Sequence, residues 1–161
     1  MKVFLKPGEI YISDRPAEVS TILGSCVALT IFNQRLLVGA ICHALLPTNP
    51  NGDDEFRYVD SAITYMVRKL GIMGIAKREM EAKLLGGADV LEQSDGRRSV
   101  GQQNIEAALK IIKQENLTLA VEDTGGPMGR KIQFYTNSGK VLLRRIKRVT
   151  QYEQDQSPYC R

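Results

Sequence analysis

The sequence holds a single histidine, His43, and three cysteines, Cys26, Cys42 and Cys160. A thiolate beside an imidazole can attack a carbonyl carbon, because the ring takes the thiol proton and later returns it to the leaving group. Which cysteine meets His43 depends on how the surrounding segments pair. If 26–32 and 37–43 form an antiparallel hairpin with its turn centred between Gln34 and Arg35, facing residues have numbers that sum to 69. Cys26 and His43 satisfy that sum and are expected to be directly opposed, with Cβ atoms about 4.5–5.5 Å apart. Cys42 sits next to His43 on the same strand, so pleating turns it to the other face, where it packs. Cys160 lies in a polar tail and reads as an exposed thiol. Gly24 and Ser25 precede Cys26. A glycine there permits a sharp turn, and the backbone N–H groups of such a turn can hold an oxyanion. Ser20 and Thr21 each offer a hydroxyl that could orient the imidazole or bind the substrate. The competing reading is structural: a cysteine in an apolar strand is usually an inert packing residue, and a lone histidine often serves the core or the surface.

The elements that must position these groups are legible from periodicity. Short β-rich runs, EIYIS and AEVSTIL, flank a turn at Asp14–Pro16, and VALTIF and LLVGAICHALL flank a polar break at Asn33–Arg35. Residues 48–55 read as a loop. Val59, Ala62, Ile63, Met66, Val67 and Leu70 recur at helical spacing, with Gly71 as the expected stop. Ile105, Ala108, Leu109 and Ile112 mark a second helix, and Ser99 and Gln102 have capping-box spacing ahead of it. A strand is expected around Glu79–Leu85, ending at Gly86-Gly87. Three more strands follow in LTLAVED, KIQFYTN and KVLLRRIKRV, the last two joined by a tight turn at Asn137–Gly139. Seven or eight strands and two main helices, without strict βαβ alternation, predict an α+β fold.

Bulk properties exclude several classes. The 161 residues suit one domain, expected to span 1–150, with a poorly ordered tail at 151–161. Apolar residues make up 43% and charged residues 25%, and no apolar run is long enough for a membrane span. The first residues lack the apolar core of a secretion signal, so a cytoplasmic location without membrane insertion is expected. An odd cysteine count argues against a disulfide framework, and one histidine with no CxxC pair matches no zinc site. The net charge of +4 is mild, and its densest cluster, Arg144, Arg145, Lys147 and Arg148, reads as a charged strand edge, with nucleic-acid binding unsupported by any accompanying motif. The stretch Asp123–Arg130, DTGGPMGR, lacks the ending of a phosphate-binding loop. It reads as a tight turn between strands or as a rim of the active cleft, and Gly86-Gly87 allows the same two readings.

Six segments taken in order carry a resemblance: TILGSCVAL, GAICHALLP, YVDSAI, KLLGGADVL, GQQN and DTGGPMGR. The set resembles the CheD family, the bacterial chemoreceptor glutamine deamidases, over residues 5 to 150. The resemblance implies mixed β-sheets packed as a sandwich with two main flanking helices, similar to the cysteine hydrolase fold of the cytotoxic necrotizing toxins. It implies a catalytic Cys, His and hydroxyl residue, which map to Cys26, His43 and either Ser20 or Thr21. Family spacing puts the hydroxyl six residues before the cysteine, at Ser20. The implied activity is that of a protein-glutamine glutaminase, which converts glutamine side chains of methyl-accepting chemotaxis receptors to glutamate without a cofactor. A CheC-type phosphatase is the further partner the resemblance implies. The alternative is a non-enzymatic regulatory module that binds receptors and such a phosphatase.

Overall fold

The computed structural model describes residues 1–53, 55–89 and 96–147. The expected tail at 151–161, with Cys160, lies outside them, as does Arg148. Nine strands and two α-helices occur among the described residues. Strands β2 (Ile10–Ser13), β4 (Val27–Asn33), β5 (Val38–Ala44), β6 (Glu81–Gly86) and β7 (Thr118–Thr124) form one sheet in the order β2-β5-β4-β6-β7. A second sheet orders β1 (Lys2–Phe4), β3 (Glu18–Leu23), β8 (Gly129–Tyr135) and β9 (Val141–Ile146) as β1-β3-β8-β9. Both sheets are mixed: β1–β3 and β6–β7 pair in parallel and the other neighbours antiparallel. The short β1 has no counterpart in the sequence reading.

Two cores result, one on each face of the five-stranded sheet. Helices α1 (Val59–Ile72) and α2 (Val100–Gln114) cover one face, where Leu29, Cys42 and Leu84 meet Ile63, Met66 and Ala108. The four-stranded sheet covers the other, where Ala28, Ile41 and Leu85 meet Val19, Leu23 and Phe134. A strand buried on both faces must be apolar throughout rather than alternating, and all seven residues of β4 and of β5 are buried. The α+β sandwich with two helices is therefore the observed architecture.

Three local expectations are corrected. Helix α1 runs through Gly71 to Ile72, and the chain turns away at Gly74, which takes the left-handed φ of +86° while the Ile75 N–H donates to the Leu70 carbonyl at 3.1 Å. That bond satisfies an otherwise orphaned helix-end carbonyl, and burial of Ile75 anchors it. In α2 the capping box forms as expected, with the Ser99 hydroxyl accepting from Gln102 N–H, but Leu109 is exposed. The inward stripe is instead Gly101, Asn104, Ala108 and Ile112.

The third correction concerns the β4–β5 register. Facing residues sum to 71, not 69: Val27 faces Ala44, Ala28 faces His43 and Asn33 faces Val38. The turn keeps its four residues but lies one position further along, at 34–37, because Asn33 pairs with Val38 and builds the turn, its Oδ1 accepting the Leu36 N–H at 2.8 Å and its Nδ2 donating to the Glu79 carbonyl. An Asn side chain can replace a backbone partner in this way and fix where a turn falls.

The DTGGPMGR segment is a corner that carries the chain from β7 in one sheet to β8 in the other. Arg130, 3% exposed, donates to the Asp123 carboxylate at 2.8 Å and to the Gly125 carbonyl at 2.8 Å, while Arg145 of β9 grips the same carboxylate. These ion pairs hold the Asp123 carboxyl below its usual range, the Arg145 hydrogen bond contributing most. Of the basic cluster, Arg144 and Arg145 lie on the edge strand β9, as expected, and the half-exposed Arg145 also ties the two sheets together.

Candidate active site

Of the expected residues, Cys26, His43 and Thr21 lie on the faces that meet at the seam between the two sheets. Strand parity puts His43 on the inter-sheet face with Ile41, and puts Cys42 on the helix-facing side with Ala40 and Ala44. Cys26, immediately before β4, belongs to the inter-sheet cluster with Ala28. Cys26 and His43 therefore share a face, as expected. They are not directly opposed: Ala28 occupies that position and Cys26 is the diagonal neighbour. Diagonal Cα pairs lie about 7–8 Å apart, within reach of an imidazole that leans along the strand.

The third group is Thr21. Its Oγ1 lies 2.7 Å from His43 Nδ1 and donates to the Leu5 carbonyl at 2.8 Å. Ser20, favoured by family spacing, is corrected here: it sits on the opposite face of β3, with its hydroxyl 3.5 Å from the Val3 carbonyl. Burial alternates along β3 so that Val19, Thr21 and Leu23 point inward, and only an inward side chain can cross the seam to β5. A sequence signal existed in that alternation, masked because the outward Ile22 is also apolar.

The hydrogen bonds determine where the ring proton sits. A carbonyl only accepts, so the single hydroxyl proton of Thr21 goes to Leu5. The short contact to His43 then requires Nδ1 to be the donor. Nε2 of a neutral ring is left with its lone pair, and that atom is buried with no hydrogen-bond partner. A hydroxyl bonded in turn to a fixed carbonyl thus sets tautomer and ring orientation, as a carboxylate does in other nucleophile–imidazole sites. The backbone adds rigidity, because His43 N–H donates to the Glu9 carbonyl and His43 C=O accepts from Gly8 N–H.

The loop that carries Cys26 is equally constrained. The carbonyls of Gly24 and Cys26 accept from Ala88 N–H at 2.9 Å and Gly87 N–H at 2.8 Å. Gly86 has φ +104°, and a Cβ there would lie 2.4 Å from the Cys26 carbonyl oxygen, so glycine is required for this approach. Cys26, His43 and Thr21 are all at most 1% exposed. A crevice of about 290 Å³ is lined by Gly87, whose N–H holds the Cys26 carbonyl, together with Asp89, Gln102 and Gly125–Pro127. Among the described residues no group of three His, Cys, Asp and Glu side chains converges where a metal could sit. No helix among them is long and apolar enough to cross a membrane.

Two mixed sheets with a thiol, an imidazole and a hydroxyl meeting at their seam make a class of α+β protein suited to thiol-based acyl chemistry. The particular family follows from comparison: the family model described as CheD chemotactic sensory transduction matches residues 45–145. The chain is 46% identical to the "Probable chemoreceptor glutamine deamidase CheD 2" of Geobacter sulfurreducens, over 91% of each chain. It is 39% identical to the protein named "Probable chemoreceptor glutamine deamidase CheD" in Maridesulfovibrio salexigens, covering 91% of this chain and 93% of that one. With the protein of that name in Rhodospirillum rubrum it shares 37% identity over 91% of this chain and 83% of that one. This chain belongs to the CheD family.

Proposed function

We propose that the protein deamidates glutamine side chains of methyl-accepting chemotaxis receptors, acting as a protein-glutamine glutaminase in the cytoplasm. The observation that carries the reading is the Thr21–His43 contact, which leaves the buried Nε2 lone pair on the face that Cys26 shares. The relatives' names supply the substrate. His43 Nε2 takes the Cys26 proton and the thiolate attacks the carboxamide carbon, forming a C–S bond. The carbonyl oxygen gains the charge, and backbone N–H groups of the Gly24–Cys26 turn hold it. The C–N bond then breaks as His43 gives its proton to departing ammonia. Water, deprotonated by His43, hydrolyses the thioester to glutamate and restores the thiol.

The crevice at Gly87 and Gly125–Pro127 supports an approach route, since Gly87 is bonded to Cys26 itself and the lining glycines leave room for an extended side chain. The glycine-rich corner would then serve both as a turn and as a rim. The further partner in this reading is a CheC-type phosphatase. The test is mass spectrometry of receptor cytoplasmic fragments incubated with the purified chain. Gln→Glu conversion that disappears with Cys26→Ala supports the reading. A chemotaxis effect preserved in Cys26→Ala, with no conversion by the unaltered protein, would establish the adaptor alternative.

A further inference from the structure

The inward stripe of α2 contains one residue that packing does not explain. Asn104 is fully buried, one helical turn after Gly101 on the same face. Its Nδ2 donates to the Ser25 carbonyl at 3.0 Å and to the Leu45 carbonyl at 2.9 Å. Both partners only accept, so the amide orientation is determined. Its Oδ1 is buried and has no hydrogen-bond partner. Keeping a carboxamide in a helix-packing stripe with one atom orphaned costs stability, and such a cost marks a residue kept for another reason.

The two carbonyls identify that reason. Ladder pairing between β4 and β5 ends at Val27–Ala44. One step further, the same register would oppose Cys26 to Leu45. Asn104 bridges the two sides of this open end, taking the Ser25 carbonyl from one and the Leu45 carbonyl from the other. It thereby holds the nucleophile's approach to the strand that carries His43. With the Gly24 and Cys26 carbonyls held by Ala88 and Gly87, three successive peptide planes are fixed. In a trans peptide the N–H points opposite to the C=O. Anchoring the Ser25 carbonyl on Asn104 therefore aims the Cys26 N–H away from α2. The helix reaches this point only because its first turn presents Gly101, where a Cβ would lie 2.5–2.6 Å from the Ala88 and Gly87 carbonyl oxygens.

We propose that Asn104 is a positioning residue for the Ser25–Cys26 peptide, orienting its N–H toward the oxyanion formed on the substrate carboxamide. The proposal rests on Cys26 being the nucleophile. It accounts for the GQQN segment, in which Gly101 gives the approach and Asn104 the clamp.

The experiment uses the full chain with Asn104→Leu, which matches the volume without the donors, and Asn104→Ser as a second variant. Each is measured for receptor-fragment deamidation and for Cys26 disulfide exchange with dithiodipyridine across pH. Exchange needs the thiolate but forms no oxyanion. The expected result is a fall in kcat of roughly a hundredfold with KM within about threefold, while the exchange rate and its pH profile stay near those of the unaltered protein. Deamidation within threefold of the unaltered protein in a folded variant overturns the proposal. Equal losses in both reactions overturn it too, since the thiol itself would then be misplaced. Failure of both variants to fold would make Asn104 structural and equally end it. Conversion surviving Cys26→Ala would instead remove the underlying reading of the nucleophile.

Discussion

Cys26 and Cys42 are the same residue type at the same burial, 1% exposed, one just before β4 and one within the neighbouring β5, and they face opposite sides of one sheet. The Cys42 face is sealed by two helices and lined with aliphatic side chains, where desolvation pushes its thiol up to about 12. The Cys26 face also carries His43 and looks across the seam to Thr21. Burial alone therefore does not distinguish the two thiols. What differs is that the Cys26 face also holds a base whose proton inventory is set by a further hydrogen bond. The two sides of the five-stranded sheet divide the labour: one stores stability, the other holds the polar groups.

The sharpest way to break this comparison is to remove each thiol in turn. Cys26→Ala should reduce deamidation to background, a loss of roughly 10³-fold or more, with the melting temperature little changed. A variant retaining substantial turnover, read by mass spectrometry, would refute the assignment. A smaller effect is expected one step out from the thiol. Thr21→Ala should lower kcat roughly tenfold to a hundredfold by freeing the imidazole ring, while Ser20→Ala stays within about twofold. A larger defect at Ser20 would reverse the hydroxyl assignment.

The other tie between the sheets sharpens the contrast because it bears on stability. Asp123 joins β7 to Arg130 of β8 and Arg145 of β9, and its pKa is depressed in the folded state. A depressed carboxyl contributes stability that is present above its unfolded pKa and is lost as pH falls through the folded value. The melting temperature should therefore drop on acidification below the ordinary carboxylate range, and Asp123→Asn should flatten that part of the profile. At neutral pH this variant should cost about 1–3 kcal/mol, because a buried guanidinium loses a charged partner. An unchanged acid profile would show that Asp123 is not the group responsible. The smallest effect belongs to Cys42→Ala, expected to cost about 1 kcal/mol in denaturant unfolding with turnover preserved. Loss of chemistry with the fold intact would undo the contrast with Cys26.

Much of the architecture was legible because local patterns agree with global ones. The capping box at Ser99–Gln102, the stripe from Val59 to Leu70 and the strands of the final third all form where periodicity puts them. Even the face shared by Cys26 and His43 survived a wrong register. Moving the facing sum from 69 to 71 shifts a strand by two residues, and a two-residue slip preserves the side-chain face.

What the sequence by itself determined is the set of elements apart from the short β1, and the shared face of Cys26 and His43 with Cys42 on the other side, since periodicity and pleating are local. Only the tertiary structure decided the rest. The choice of Thr21 over Ser20 depends on which face of β3 packs against the other sheet. The hairpin register depends on Asn33 bridging to Glu79, 46 residues away. The placement of Asn104 depends on how closely α2 approaches the loop before Cys26. A polar residue in the middle of an inward helical stripe was the available clue, but spacing within a helix carries no information about which distant carbonyls its side chain will meet. Those contacts join residues 22 to 79 positions apart, and only packing of the two sheets and the helix layer brings them within hydrogen-bond distance.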